Sequence, residues 1–269
     1  MNDDLNKYFD ANKILWDMRT LINKDSGFYD LTGFKKGKSS LNFIELNDVG
    51  DVKGKSLLHL QCHFGLDTMS WARLGAKTTG VDFSGNAIDL AKQLNDELGL
   101  DTEFICSNIY DLKEHLYKKF DIIFTSYGVI GWLPDLNKWA ELINYYLMPG
   151  GVFYMVEFHP VVWMFDNDLK YLKYSYFYDK EPIAECLQGT YSNRDADIKL
   201  MEYGWNHSLS EVISVLQKNN LQIELFNEFP FSVYNCFPNT VQGKDGYWRI
   251  KGLEDIIPMM YSLKARKKN

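Results

Sequence analysis

Cysteine is scarce in this chain, and its four residues, at 62, 106, 186 and 236, form no Cys-x-x-Cys pair. That excludes a disulfide framework and a zinc ribbon, and it suits the reduced thiols of a cytoplasm. Basic charge is also short: 29 Lys and Arg against 36 Asp and Glu leave a net charge of −7. A nucleic-acid track needs a basic face, and the single basic cluster, Lys264–Lys268, reads as a solvated tail. No apolar run is long enough to span a bilayer. The opening stretch, MNDDLNKYFDANKILWDM, is acidic and amphipathic, unlike a signal peptide. There is no internal repeat and no low-complexity tract. These absences predict a soluble, cytoplasmic protein that handles small molecules, with neither nucleic acid nor membrane as partner.

What is present fits one α/β domain: 269 residues, 46% hydrophobic and 24% charged, can bury a large core. From Lys55 short apolar runs alternate with helical patterns. Strands are expected at Ser56–Gln61, Lys77–Val81, Thr102–Cys106, Phe120–Ser126 and Val152–Phe158. Between them, Leu66–Leu74 reads as a helix closed by Gly75. Ser84 caps a second helix, whose apolar positions from Ala87 to Leu98 keep the 3.6 period until Gly99. A third runs from Pro134, a residue type favoured in a first helical turn, to Leu147, and stops at Pro149-Gly150-Gly151. This alternation implies a parallel sheet with helices on both faces. Ser208-Leu209-Ser210-Glu211 reads as a capping box opening a helix to about Lys218. Strands then follow at Leu221–Phe229 and Ile257–Ala265. No helix pattern links those two, so the last strand can return antiparallel.

Two segments fall outside this rhythm. Residues 1–54 read as a helical cap ahead of the 55–159 core. Residues 160–207 read as an aromatic-rich lid, with alternation in KYLKYSYFY suggesting a strand and a β-hairpin cover. Residues 208–269 complete the core.

The most informative stretch is LLHLQCHFGLDTMSWARLGAKTTGVD, Leu57 to Asp82. It reads as a strand–turn–helix–strand unit in which most glycines of a phosphate-cradling turn are gone. Unpaired N–H groups and the helix dipole at such a turn favour an anion. Asp82, ending the second strand, can accept both hydroxyls of a ribose. Together they specify a nucleoside bearing a small acidic group, which leaves NAD, FAD and S-adenosylmethionine open. A pyrophosphate needs glycines for close backbone approach, and here only Gly65 remains, so an amino-acid carboxylate fits better.

On these residues the sequence resembles the class I S-adenosylmethionine-dependent methyltransferases. Leu57–Gly65 is similar to their first motif, "GVDFS" to the acid after the second strand, and "CSNIYDL" to the third-strand position. "FDIIFTSYGVIGWLPDL" is similar to the fourth motif and "LMPGGVFYMVEFHP" to the fifth strand. In its HLQCHFGLD form of motif one the chain resembles a bacterial subgroup of that family. His59 stands for an acid, Gln61 and His63 for glycines, and Asn108 for aspartate. The resemblance implies a Rossmann-like, doubly wound and mostly parallel seven-stranded sheet, its last strand antiparallel. It implies S-adenosylmethionine as methyl donor, held by Gln61, Cys62, His63, Gly65, Asp82, Phe83, Asn108 and Ile109. Asn108 would accept from the adenine amino group through its side-chain carbonyl.

For the acceptor side, His159 follows strand five at the carboxyl edge of the sheet and is a candidate base near neutral pH. Tyr127 is the second catalytic candidate. Trp132, Glu157 and Trp163 are candidate substrate contacts, and Trp16 and Tyr29 could close over the cofactor. His59, Cys62 and His63 lack a fourth ligand, so no metal is expected. The expected activity is O-, N- or S-methylation of a small molecule. A binding protein without chemistry and, further off, an NAD-dependent dehydrogenase are the competing readings.

Overall fold

The computed structural model describes residues 3–268. In chain order the helices and strands are α1 (Asp3–Asn23), α2 (Leu31–Lys35), α3 (Phe43–Val49), β1 (Ser56–Leu60), α4 (Leu66–Arg73), β2 (Lys77–Asp82), α5 (Gly85–Glu97), β3 (Glu103–Cys106), β4 (Phe120–Ser126), α6 (Leu136–Tyr146), β5 (Leu147–Phe158), β6 (Ile183–Gln188), β7 (Lys199–Gly204), α7 (Leu209–Lys218), β8 (Leu221–Phe229), β9 (Thr240–Gln242), β10 (Trp248–Ile250) and β11 (Met260–Lys267). Seven strands form one sheet in the order β3-β2-β1-β4-β5-β11-β8, and β11 runs antiparallel to both of its neighbours. Two antiparallel hairpins, β6/β7 and β9/β10, stand apart from it. The strand order reverses between β1 and β4, and a crevice opens outside the carboxyl ends of such strands.

The local chemistry accounts for these elements. Ser84 accepts from the Ala87 N–H at 3.1 Å and starts α5, and Gly99 at φ 62° ends it. Asp135 caps α6 by accepting from the Lys138 N–H at 3.0 Å, so Pro134 lies one residue outside the helix. Ser208 caps α7 by accepting from the Glu211 N–H at 3.2 Å, but the capping box is only half formed. The Glu211 carboxylate turns instead to His207 Nδ1 at 3.2 Å. Gly65 is required sterically. It sits at φ 76°, and a Cβ there would lie 2.5 Å from the Phe104 ring.

Two expectations are corrected. Pro149-Gly150-Gly151 is not a break before a strand but an irregularity inside one, because Leu147 already pairs with Phe120 and the register shifts before Ile122. KYLKYSYFY forms no strand beyond an isolated bridge between Phe165 and Leu172. The hairpin of this region is built later, from Ile183–Gln188 and Lys199–Gly204.

The core packs on both faces of the sheet. On one, α6 and α7 lay Trp139, Ile143, Val212 and Leu216 against Leu58, Ile123 and Leu263. On the other, Leu57, Phe124, Tyr154 and Val156 meet Trp71, Ile44 and Met260. Over the carboxyl edge α1 is stapled to the hairpin. Asn12 Nδ2 donates to the Tyr203 carbonyl at 2.7 Å, and the Tyr203 N–H donates to Asn12 Oδ1 at 2.9 Å. Further along α1, Arg19 pairs with Glu202, and Asn23 Nδ2 donates to the Tyr191 hydroxyl at 3.0 Å. α1 and β6/β7 thus form one roof.

Candidate active site

Beneath that roof lies a cavity of about 840 Å³. Its floor is the turn after β1. Gln61 and His63 adopt φ 57° and 52°, so the backbone follows a course that usually calls for glycine. Holding two such side chains left-handed costs on the order of 1–2 kcal/mol each, which the surrounding contacts offset. Gln61 Nε2 donates to the Val129 carbonyl at 2.9 Å, tying this turn to the loop after β4. The His63 ring packs against Trp16, Tyr29 and Phe64, with Nε2 3.3 Å from the Thr20 hydroxyl. Burial, with the Arg19 charge adding to it, pushes His63 down to about 3, so its ring is neutral at physiological pH.

Asp82 closes the adjoining wall. Its Oδ2 accepts from the His63 N–H at 2.8 Å and its Oδ1 from the Ser84 N–H at 2.9 Å. One N–H on each oxygen leaves lone pairs for further donors. Burial raises the carboxyl to about 6 despite these bonds. Phe83, Asn108 and Ile109 line the same end. Asn108 turns its side-chain oxygen onto the Tyr110 N–H at 3.1 Å, capping a short 3₁₀ turn over Ile109–Glu114. That oxygen is therefore partly committed to the turn.

The other end of the cavity is aromatic. Tyr127, at φ 47° after β4, lines it and donates to Glu45 Oε2 at 2.8 Å. Burial, reinforced by the Glu45 charge, holds the Tyr127 phenol far above its ordinary range, so it keeps its proton. Trp132 and Trp163 also line the cavity. Trp132 Nε1 donates to the Gly128 carbonyl at 2.8 Å and meets Trp16 edge-on, while the Arg19 guanidinium lies over both rings at 5.3 and 5.7 Å.

Two expected site residues face away. His159 does not line the cavity. Its Nε2 lies 2.9 Å from Glu228 Oε1, its Nδ1 accepts from the Val161 N–H at 3.2 Å, and its ring packs edge-on against Tyr261. The Glu157 carboxylate accepts from the N–H groups of Gly128, Val129 (2.8 Å), Ile130 (3.2 Å) and Phe158 (2.6 Å). It pins the loop after β4 and has no edge on the cavity. His159→Ala is accordingly expected to leave the affinity for S-adenosylhomocysteine unchanged in calorimetry. Stability should fall by about 1–3 kcal/mol, since the contact with Glu228, the acceptor of the Val161 N–H and a buried ring are lost together.

Sequence reasoning missed Arg19, Ser40, Glu45, Asp67, Tyr191 and Tyr234. Asp67, in the first turn of α4, lines the cavity and accepts from the Ser40 hydroxyl at 2.6 Å and the Ser126 hydroxyl at 3.1 Å. Ser126 in turn lies 3.4 Å from His59 Nε2, whose other nitrogen is 2.8 Å from the Thr68 hydroxyl. Among the described residues no group of three or more His, Cys, Asp and Glu is placed to hold a metal ion, and no helix is long and apolar enough to cross a membrane.

A Rossmann-like sheet with an antiparallel strand beside β5, and a deep crevice at the carboxyl edge, define a methyltransferase architecture. Residues 51–220 match a methyltransferase-domain family, and the chain belongs to the class I S-adenosylmethionine-dependent methyltransferases. Its fold is similar to that of an S-adenosylmethionine-dependent methyltransferase from Clostridium acetobutylicum, with TM-score 0.58 and 16% identity over 96% of this chain and 99% of that one. A counterpart from Mesorhizobium loti gives TM-score 0.57 and 16% identity over 87% and 100% of the two chains. Among curated proteins, a ubiquinone biosynthesis O-methyltransferase of Coxiella burnetii is 33% identical over 100 residues, 37% of this chain and 42% of that protein. One from Proteus mirabilis is 25% identical over 130 residues, 47% and 53%. The chain spans about half the length of the curated relatives it matches.

Donor chemistry in the cavity fits S-adenosylmethionine. Asp82 has lone pairs for hydroxyls, and three buried polar atoms with no protein partner, His63 Nδ1, Gln61 Oε1 and Arg19 Nε, belong to residues lining the same cavity.

Proposed function

We propose that this enzyme methylates a small molecule, using S-adenosylmethionine seated across the turn after β1. The observation that carries the reading is the continuity of one roofed cavity, from the Asp82 carboxylate at the end of β2 to the aromatic chamber around Tyr127. Asp82 accepts the ribose hydroxyls. Phe83, Ile109 and the Asn108 side chain bound the adenine. Gln61, Cys62, His63 and Gly65 carry the amino-acid end, with Arg19 as the nearest cation for its carboxylate. The bound cofactor supplies a methyl group on a sulfonium, a good leaving group. What remains for the protein is alignment and exclusion of water, worth on the order of 7–11 kcal/mol at best. Tyr127 adds an aromatic ring at that junction, beside Trp16 and Trp132, which already hold the Arg19 guanidinium. The roof of α1 and β6/β7 covers the cavity.

Two measurements test this. Titration calorimetry should detect both S-adenosylmethionine and S-adenosylhomocysteine, and a methyl-release assay over a metabolite panel should find turnover. NADH fluorescence enhancement with no binding of either ligand would replace the reading with a dehydrogenase.

The Asp82 carboxyl adds a pH signature. A ribose hydroxyl donates to the ionised form, so the proton must leave before binding. Affinity for S-adenosylhomocysteine should therefore rise with pH up to about 6 and then level. One pH unit below that value, binding should be about tenfold weaker. The stability of the ligand-free protein runs the other way. Its folded carboxyl titrates above the ordinary 3.8, so this contribution is fullest below that value and declines as pH rises toward 6.

A further inference from the structure

We infer that the methyl acceptor carries a protonated amine, seated against the Asp67 carboxylate with its carbon skeleton on the surrounding tyrosine faces. This rests on the methyl-transfer reading above and names the substrate class of that same site.

Charge is distributed unevenly in the cavity. Asp67 lines the chamber, and its partners are the Ser40 and Ser126 hydroxyls, both neutral donors. No ion pair to it is formed among the described residues. Glu45 stands close by behind Tyr127. Burial pushes it up to about 7, with the Asp67 charge adding to the effect. The basic side chains lining the cavity face other carboxylates: Arg19 pairs with Glu202 and has its Nε left for the cofactor, and the exposed Lys38 pairs with Asp30 at 2.9 Å. His59 and His63, both held near 3 by burial, bring no positive charge. Arg194 lines the cavity too, but it is exposed on the turn between β6 and β7.

Asp67 is half-buried, and a carboxylate facing a cavity with no cationic partner is costly; an incoming ammonium relieves that cost. The rings around Asp67 point to the same ligand. Tyr29 and Tyr234 lie near enough for their phenols to be shifted by its charge, and Tyr234 meets Tyr127 edge-on at 4.9 Å. Phe158 and Trp163 extend the wall. Aromatic faces beside a carboxylate attract an organic cation and give an anionic acceptor nothing.

The step balances with residues in place. The ammonium passes one proton to Asp67, whose raised affinity for protons suits that task. The freed nitrogen lone pair forms the N–CH₃ bond as the C–S bond breaks, its electron pair remaining on sulfur. The product leaves as a secondary ammonium, and Asp67 returns its proton to solvent.

The test uses the full chain saturated with S-adenosylhomocysteine, titrated in a calorimeter with 2-phenylethylamine, 2-phenylethanol and phenylacetate. The amine should bind at least tenfold more tightly than the alcohol, and phenylacetate should be weakest. Asp67→Asn should erase the amine preference, and Asp67→Glu should restore part of it, with S-adenosylhomocysteine affinity within twofold of the parent in both. Equal binding of amine and alcohol, no detectable amine binding at millimolar concentration, or preference for phenylacetate overturns the inference. Loss of S-adenosylhomocysteine affinity in both variants also overturns it, by placing Asp67 on the cofactor. Failure of the parent protein to bind S-adenosylhomocysteine sinks the methyl-transfer reading itself, and the inference with it.

Discussion

Replacing Glu157 by alanine is expected to lower stability by about 3–5 kcal/mol, the scale for removing one side of a buried charged hydrogen-bond set. Four backbone N–H groups, of Gly128, Val129, Ile130 and Phe158, converge on this one carboxylate. Three of them belong to the loop after β4, where Tyr127 and Trp132 meet the cavity. At roughly 2–4 °C per kcal/mol for a chain approaching this size, the melting temperature should fall by about 10 °C. Glu157→Gln keeps one carbonyl acceptor and should recover part of the loss. Differential scanning calorimetry settles it: a shift of under 2 °C for alanine would show that the loop holds itself without the carboxylate.

Asp82→Ala should weaken S-adenosylhomocysteine at least tenfold, equivalent to about 1.4 kcal/mol or more. The carboxylate has two roles there. It orders the turn through the His63 and Ser84 N–H groups, and in the proposed pose it receives the ribose. Asp82→Asn separates them. The amide oxygen still accepts one N–H, but the pH dependence of binding below about 6 should vanish with the titrating group. Unchanged affinity in both variants would remove Asp82 from the ligand.

Much of this was legible along the chain. Strands β1 to β4 and helices α4 to α6 follow the apolar periods and caps of Lys55–Leu147, because their core-facing positions are fully buried and the caps of α5 and α6 are made by local side chains. Within 160–207 the hairpin forms at β6/β7 and the strand expected at KYLKYSYFY does not, for a physical reason. The six-residue strands "IAECLQ" and "KLMEYG" have only half-buried and exposed positions, alternating throughout the first and in the first half of the second, a weaker contrast than core strands give. KYLKYSYFY alternates more boldly in sequence but pairs only through the single bridge at Leu172.

His159 shows the limit of reading position without direction. Successive strand residues point to opposite faces. Phe158 faces the cavity, so His159 and Glu157 face Tyr261. Asp67, Ser40 and Ser126 meet across 27 and 59 residues of chain, and nothing in their local spacing announces it.

The turn after β1 has a consequence for how a ligand is received. With Gln61 and His63 in place of glycines, the loop has fewer conformations to lose, and their left-handed geometry is already fixed by contacts with Val129, Thr20 and the neighbouring rings. Ordering that a flexible glycine turn undergoes on ligand capture is here completed during folding. Placing glycine at both positions should therefore loosen the turn before ligand binds, and the entropy of association should become more unfavourable even where the contacts to the ligand are conserved.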